Sequence, residues 1–142
     1  MWASVIAVVG TLLGSVTMYV LQQRGTDRTA LRRDRLAAVT ALTVALADHR
    51  RAMWVREDLR LSGADAAGYE AARAESHVTR SAITAPLTSL SILAPGLARV
   101  AQDAATATYR LRGVESAQVL GEAREAAIAA CERLTREASK TF

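Results

Sequence analysis

The feature that most constrains this chain is its first 23 residues, which contain no charged side chain. The run from Trp2 to Leu21 is apolar or small apart from a few Ser and Thr hydroxyls, and the first charged residue is Arg24. A helix of this length reaches about 30 Å, which is enough for the hydrocarbon core of a bilayer. Trp2 and Tyr19 lie near its two ends, where aromatic rings favour the membrane interfaces. We therefore expect residues 1–23 to form a transmembrane anchor.

Two other interpretations of this segment fit the sequence less well. A cleaved signal peptide needs a basic stretch before the apolar run and a pair of small residues at the cleavage site. No Lys or Arg precedes the run, and its exit, residues 19–24, offers no such pair. A buried core helix is usually shorter than about 20 consecutive uncharged residues. A retained anchor is therefore the favoured interpretation.

The charges after the anchor predict its orientation. Residues 24–60 contain nine arginines against five acidic residues, so the whole net charge of +4 lies beside the anchor. Arginines close to a membrane segment favour the cytoplasmic side. We expect a single-pass inner-membrane protein with its N-terminus outside and the rest of the chain in the cytoplasm. Contact with anionic lipid headgroups is expected at five arginines: Arg24, Arg28, Arg32, Arg33 and Arg35.

Small side chains follow one face of the predicted anchor at spacings of three and four residues. Gly10 and Gly14 form the close-approach pattern that lets two transmembrane helices pack tightly. Small residues are also common in membrane helices in general, so ordinary membrane-helix composition is an alternative explanation of the stripe. We expect a homo-oligomer that assembles through this face: Ala3, Ala7, Gly10, Gly14 and Thr17.

The remainder of the chain, residues 24–142, shows helical periodicity throughout and no alternation long enough to predict a strand. The fold class is therefore all-α, an antiparallel cytoplasmic bundle of three to four helices behind the anchor. Pro86 predicts a kink or a break near Thr84, and Pro95-Gly96 and Gly113 are boundaries. The predicted helices span residues 27–61, 65–93, 97–112 and 116–139. The first presents a stripe expected to face inward: Leu36, Val39, Leu42 or Thr43, Leu46, His49 and Met53.

Signatures of catalysis and of bound metal are missing from this sequence. Two histidines and one cysteine cannot supply a typical Cys/His zinc site, and no phosphate-binding glycine loop or nucleophile elbow occurs. Cys131 is most simply a small core residue. No recognition helix or basic patch interleaved with aromatic residues is found, so nucleic-acid binding is not expected. The sequence predicts no catalytic, metal-binding or cofactor-binding residue, and no enzyme.

A dense polar segment lies at residues 48–58. One interpretation is an ordinary amphipathic helix with a solvated charged face, in which His49 is a hydrogen-bonded core residue. The sharper interpretation is a surface that docks a protein partner, with Arg50 stacked on the Trp54 ring. The residues of this candidate docking patch are His49, Arg50, Arg51 and Trp54.

Several stretches resemble the KilB-type proteins of actinomycete conjugative plasmids. The similar segments include Met1–Leu12, Leu36–Leu42, Asp48–Trp54, Ala71–His77 and Thr84–Leu87. The resemblance implies a role in plasmid transfer and in spread of the plasmid within mycelium, with toxicity on unregulated expression. It implies no active-site residue.

We therefore expect a non-enzymatic membrane protein that scaffolds or recruits other transfer proteins. The alternative is a holin-like protein whose oligomerised anchors permeabilise the membrane, since the small-residue face would serve both functions. A stator-like stalk is less consistent with the sequence, because Pro86, Pro95-Gly96 and Gly113 interrupt the chain too often for one long helix.

Overall fold

The computed structural model describes the backbone from Trp2 to Phe142 and the side chains from Asp27 to Phe142. This described part contains four α-helices, one short 3₁₀ helix and no strand. The α-helices are α1 (Trp2–Ser62), α2 (Ala66–Leu93), α3 (Ala98–Tyr109) and α4 (Ala117–Thr141), and the 3₁₀ helix is Pro95–Leu97. The all-α fold class predicted from the sequence is confirmed.

The predicted anchor, residues 1–23, lies outside the residues whose side chains are described, and so do its small-residue face and Arg24. Among the side chains that are described, no helix is both long and apolar enough to cross a bilayer. The chain divides into two compact units, Met1–Asp34 and Arg35–Phe142. We call the second unit the bundle, and every buried core residue of the described chain belongs to it.

The turns of the bundle are set by residues with strong local preferences. Gly63 and Gly113 have φ angles of +68° and +73°, a left-handed conformation that is costly for any residue with a Cβ. Asp65 caps α2 by accepting a hydrogen bond from the backbone N–H of Gly68 at 2.7 Å. Ser116 caps α4 in the same way, with the N–H of Val119 at 3.3 Å. These turns are short, so consecutive helices pack side by side.

Contacts between side chains fix the helix directions within the bundle. As the residue numbers along α1 rise, those of its contact partners on α2 and α4 fall, so both helices run antiparallel to α1. The partner numbers toward α3 rise instead, so α3 runs parallel to α1. The contacts that establish this pair Arg35 with Leu93 and with Phe142, Arg56 with Ser76, Trp54 with Arg124, His49 with Tyr109, and Arg60 with Val114 just after α3. The bundle therefore has an up-down-up-down arrangement of its four helices.

Alanine supplies about half of the main core, so the helices approach closely and each buries little apolar area. The inward stripe predicted for α1 is buried from Val39 to Met53. Leu36 is the exception, at 46% exposed, because it lies at the open end of the bundle beside the α2 terminus. The largest fully buried aliphatic side chains are Leu42, Leu46, Ile83, Leu90, Leu111, Leu120 and Leu134.

Pro86 does not interrupt α2, which continues from Ala66 to Leu93 as one helix. A proline inside a helix leaves the carbonyl four residues earlier without its partner. Here that carbonyl belongs to Ala82, an exposed residue that water can reach, so the cost is reduced. α2 therefore has no break near Thr84, and the kink near Pro86 stays a prediction.

Candidate functional site

The four residues of the candidate docking patch lie in three different environments. His49 is buried, at 2% exposed, and its Nδ1 is 3.0 Å from Thr79 Oγ1 on α2. Its ring meets the Tyr109 ring edge-on, with centroids 5.8 Å apart. Burial, together with the nearby charge of Arg80, lowers the pKa of His49 to about 4. His49 is thus a neutral, hydrogen-bonded core residue at neutral pH, and it cannot contribute to an exposed docking patch.

The arginines that follow His49 face away from it. Arg51 is exposed and forms an ion pair with Asp48 at 2.9 Å, which is worth little because both groups are solvated. Arg50 lines a groove of about 460 Å³ between α1 and α4, together with Cys131 and Glu132. Burial raises the pKa of the Cys131 thiol, and the charge and hydrogen bond of Arg50 oppose that rise. Arg50 therefore faces the half-buried cysteine of α4.

The cation over the Trp54 ring comes from α4. Arg124 lies 5.2 Å from the ring centroid, a distance typical of cation–π contacts. The sequence predicted Arg50 in this role because it is four residues before Trp54 on the same helix. That prediction is wrong, since Arg50 turns toward Cys131 and the cation over the Trp54 ring belongs to the neighbouring helix. Arg124 was not identified from the sequence, because nothing local marks a contact between helices.

A second cation–π contact joins three helices around His49. The guanidinium of Arg80 on α2 lies 4.0 Å from the centroid of the Tyr109 ring, and Tyr109 in turn contacts His49. Arg80, Tyr109 and His49, from α2, α3 and α1 respectively, therefore contact one another in turn, with His49 edge-on to Tyr109. Burial lowers the pKa of the His49 imidazole most, and the charges of Arg80 and Arg56 lower it further, so His49 stays neutral.

An ionic network at residues 56–60 was missed by the sequence analysis. Glu57 has only 1% of its side chain exposed, and its Oε2 accepts a hydrogen bond from Arg60 Nε at 2.6 Å. Arg60 also donates to the backbone carbonyl of Val114 before α4. Arg56 is nearly as buried, and its Nε lies 3.8 Å from Glu57 Oε1. The solvated charged face expected over residues 48–58 is therefore wrong at these two positions.

The partners of Arg56 come from α2. Its two terminal nitrogens donate to Ser76 Oγ at 3.2 Å and to the Tyr69 hydroxyl at 3.4 Å. Its Nε is buried and has no hydrogen-bond partner. Continuing the inward stripe beyond Met53 by three and four residues reaches Arg56 and Glu57, so the spacing contained the signal for their burial. The network joins α1 to α2 and to the start of α4.

The arginines predicted to meet lipid headgroups fall into two groups. Arg28, Arg32 and Arg33 are exposed, as such contact requires. Arg35 instead donates from Nε to the Leu93 carbonyl at 2.7 Å and lies over the Phe142 ring. Arg35 therefore holds the end of the bundle together. No group of His, Cys, Asp and Glu side chains in the described part could hold a metal ion.

Comparison with known proteins gives one family. The family model described as "KilB plasmid transfer protein" matches residues 36–142. The chain is also 54% identical over 145 residues to Protein KilB of Streptomyces lividans, which covers 100% of this chain and 99% of that protein. No solved structure matches. The resemblance found in the sequence is confirmed.

Proposed function

The chain belongs to the KilB plasmid transfer protein family, and from this premise we propose that it acts in plasmid transfer and spread as a membrane-anchored, non-enzymatic scaffold. The observation that carries the proposal is the similarity to Protein KilB of Streptomyces lividans over the whole chain, including the first 23 residues. The alignment therefore extends over the uncharged segment as well as the residues of the bundle.

The membrane part of the proposal is supported by the sequence. An uncharged run of about 20 residues followed by a cluster of arginines is typical of a single-pass anchor whose basic side faces the cytoplasm. Arg28, Arg32 and Arg33 are exposed and free to approach anionic headgroups. We propose that the bundle lies at the cytoplasmic face of the inner membrane.

The non-enzymatic part is supported by the state of the buried polar groups. His49 is held neutral by burial and is hydrogen-bonded to Thr79, so its ring is engaged in the core. Glu57 is occupied by Arg60 and Arg56. Groups that are buried and held in such contacts are positioned for stability, whereas a general acid or base must reach a substrate. The bundle is therefore proposed to act through its surface, by recruiting other transfer proteins.

Self-association is the second part of the proposed scaffold. The anchor contact would use the small face at Gly10 and Gly14, because small side chains let two backbones approach closely in lipid. Anchoring also confines the chains to one surface, which raises their effective concentration and strengthens weak contacts between bundles.

The proposal is tested by complementation. This chain is expressed in Streptomyces lividans carrying a conjugative plasmid from which the kilB coding sequence has been deleted, and plasmid spread is scored. We expect the full chain to restore spread and residues 24–142 alone to fail. Failure of the full chain, at normal expression level, would refute the role in plasmid transfer. Restoration by residues 24–142 would refute the need for an anchor.

A holin-like function is the alternative that the small-residue face supports. It is distinguished by the membrane potential, followed with a voltage-sensitive dye after the full chain is induced in a heterologous bacterium. A scaffold leaves the membrane polarised. Rapid depolarisation that disappears on replacing Gly10 and Gly14 by Leu would establish the holin-like function instead.

A further inference from the structure

The solvent-facing side of α4 carries an ordered arrangement of charge. The face opposite the buried Ala127 and Leu134 contains two glutamates in its first half and two arginines in its second half, with alanines between them and the exposed Glu132 beside the second arginine. All of these side chains are exposed. The residues of this α4 face are Glu122, Glu125, Ala126, Ala129, Arg133 and Arg136.

The charges are placed symmetrically about Ala129. Glu125 and Arg133 lie four residues before and after it, and Glu122 and Arg136 lie seven residues before and after it. At 3.6 residues per turn, both steps return to the same side of a helix. When two copies of such a helix pack antiparallel with their Ala129 residues in register, each glutamate faces an arginine of the other copy. A parallel pair would instead place like charges together.

Contacts within the chain leave these charges largely available. Glu125 and Arg133 form no ion pair among the described residues, and they are too far apart along the helix, about 12 Å, to reach one another. Arg136 has only a long, exposed ion pair with Glu132 at 3.9 Å. Glu122 accepts a hydrogen bond from Gln118 at 3.0 Å. Within the bundle, the acidic and basic halves do not neutralise each other.

The neighbouring groove strengthens the basic half. A groove of about 420 Å³ between α3 and α4 has an alanine floor that includes Ala126 and Ala129, and Arg110 of α3 joins Arg133 and Arg136 at its rim. Alanine is small enough for a second helix to approach closely. The single acidic residue lining this groove is Asp103, so its net charge is positive and suits an acidic helix segment.

We propose that the α4 face is a self-association surface, on which a second copy of this chain docks with its α4 antiparallel. Complementary charge favours a second copy as the partner. In the antiparallel pair, the glutamates of each copy meet the arginines of the other, so both halves of the face are paired at once. A uniformly acidic partner or a nucleic acid would be repelled by Glu122 and Glu125. One helix face buries less area than a stable dimer in dilute solution needs. The inference therefore rests on the proposed membrane anchoring, which supplies the effective concentration.

The test is disulfide crosslinking of the full chain in membranes. Ala129→Cys is introduced with Cys131→Ser, which removes the native thiol, and oxidation is catalysed by copper phenanthroline. Two cysteines at position 129 would face each other across the two-fold axis, so we expect a crosslinked dimer. Ala82→Cys is the matched control, because Ala82 is an exposed alanine on α2. Crosslinking at position 129 no greater than at position 82 would overturn the proposal.

Charge exchange then tests the antiparallel pairing. Replacing Arg133 and Arg136 by Glu makes all four paired positions acidic, and replacing Glu122 and Glu125 by Arg makes all four basic. We expect each variant alone to lose at least about tenfold in crosslinking yield at position 129, and a mixture of the two to regain it. All four positions are exposed, and circular dichroism checks that both variants keep the fold. Undiminished crosslinking in either variant alone, or a mixture that regains nothing, contradicts the pairing.

Failure of this inference is distinguishable from failure of the proposed scaffold. Energy transfer between dye-labelled full-length chains in vesicles reports self-association through any surface. Transfer without crosslinking at position 129 would refute the α4 face and leave the anchor contact as the route of assembly. Absence of both signals would refute self-association altogether, and with it the α4 face and the oligomeric scaffold.

Discussion

The buried carboxylate of Glu57 gives the sharpest prediction about stability. Its side chain is 1% exposed and lies between Arg60, which donates at 2.6 Å, and the buried Arg56 at 3.8 Å. Glu57→Gln keeps the size of the side chain and removes the negative charge. Arg56, whose side chain is 9% exposed, then loses its only ion-pair partner in the described part of the chain.

The magnitude follows from the cost of leaving a buried charge unpaired. Removing one member of a buried ion pair typically destabilises a protein by about 3–5 kcal/mol. Arg56 keeps its hydrogen bonds to Ser76 and Tyr69, so we expect the lower end, about 3 kcal/mol of the free energy of unfolding. Asp58→Asn is the matched control, because Asp58 is the exposed acidic residue next in sequence. It should change the free energy of unfolding by no more than about 0.5 kcal/mol.

The assay is urea unfolding of the detergent-solubilised full chain, followed by circular dichroism. A further variant separates the charge from the packing. Arg56→Met combined with Glu57→Leu removes both buried charges, and it should be more stable than Glu57→Leu alone. A free energy of unfolding for Glu57→Gln equal to that of Asp58→Asn would refute the reasoning, because Glu57 would then not compensate Arg56.

Three further predictions concern pH, backbone conformation and packing. The pKa of His49 is lowered in the fold to about 4 from an ordinary value of 6.5. The unfolded chain therefore binds the proton more readily, and the stability present above about pH 6.5 is lost as the pH falls toward 4. His49→Gln should flatten this part of the pH profile of unfolding, whereas the exposed His77→Gln should leave it unchanged. Gly113→Ala should destabilise the fold by about 1 kcal/mol because the φ angle of Gly113 is +73°. Gly121→Ala, whose added Cβ meets no atom within 4 Å, should stabilise α4 by up to about 1 kcal/mol. Thermal unfolding that ranks the two variants in the reverse order would contradict this. Leu42→Ala should cost about 3 kcal/mol in chemical unfolding because Leu42 is fully buried, and a loss below about 1 kcal/mol would show that the core collapses around the gap.

Local patterns in the sequence predicted the helices better than the contacts between them. Helical spacing and the boundaries at Pro95-Gly96 and Gly113 depend on neighbours in sequence, and the all-α class followed from them. The spacing of the inward stripe reaches Arg56, but its burial was not predicted because a charged residue in a polar segment is ordinarily solvated. The packing of α2 places Tyr69 and Ser76 beside Arg56, and their hydrogen bonds to the guanidinium offset part of the cost of burying its charge.

The candidate docking patch shows the same limit. Its four residues are close in sequence, but a helix points consecutive side chains in different directions. His49 faces the core, Arg50 faces Cys131 on α4, and Trp54 is covered by Arg124. Which helix lies on each side is set by long-range packing, and nothing within residues 48–58 specifies it.

The central claim, a retained anchor that holds the bundle at the membrane, is tested most directly by carbonate extraction of membranes from cells that express the full chain. The account predicts that the chain sediments with the extracted membranes at its full length. It also predicts that Val8→Arg combined with Leu12→Arg, which places two charges in the uncharged segment, releases the chain to the supernatant. A chain released by carbonate without any substitution, or one that loses its first residues in the cell, would contradict the account.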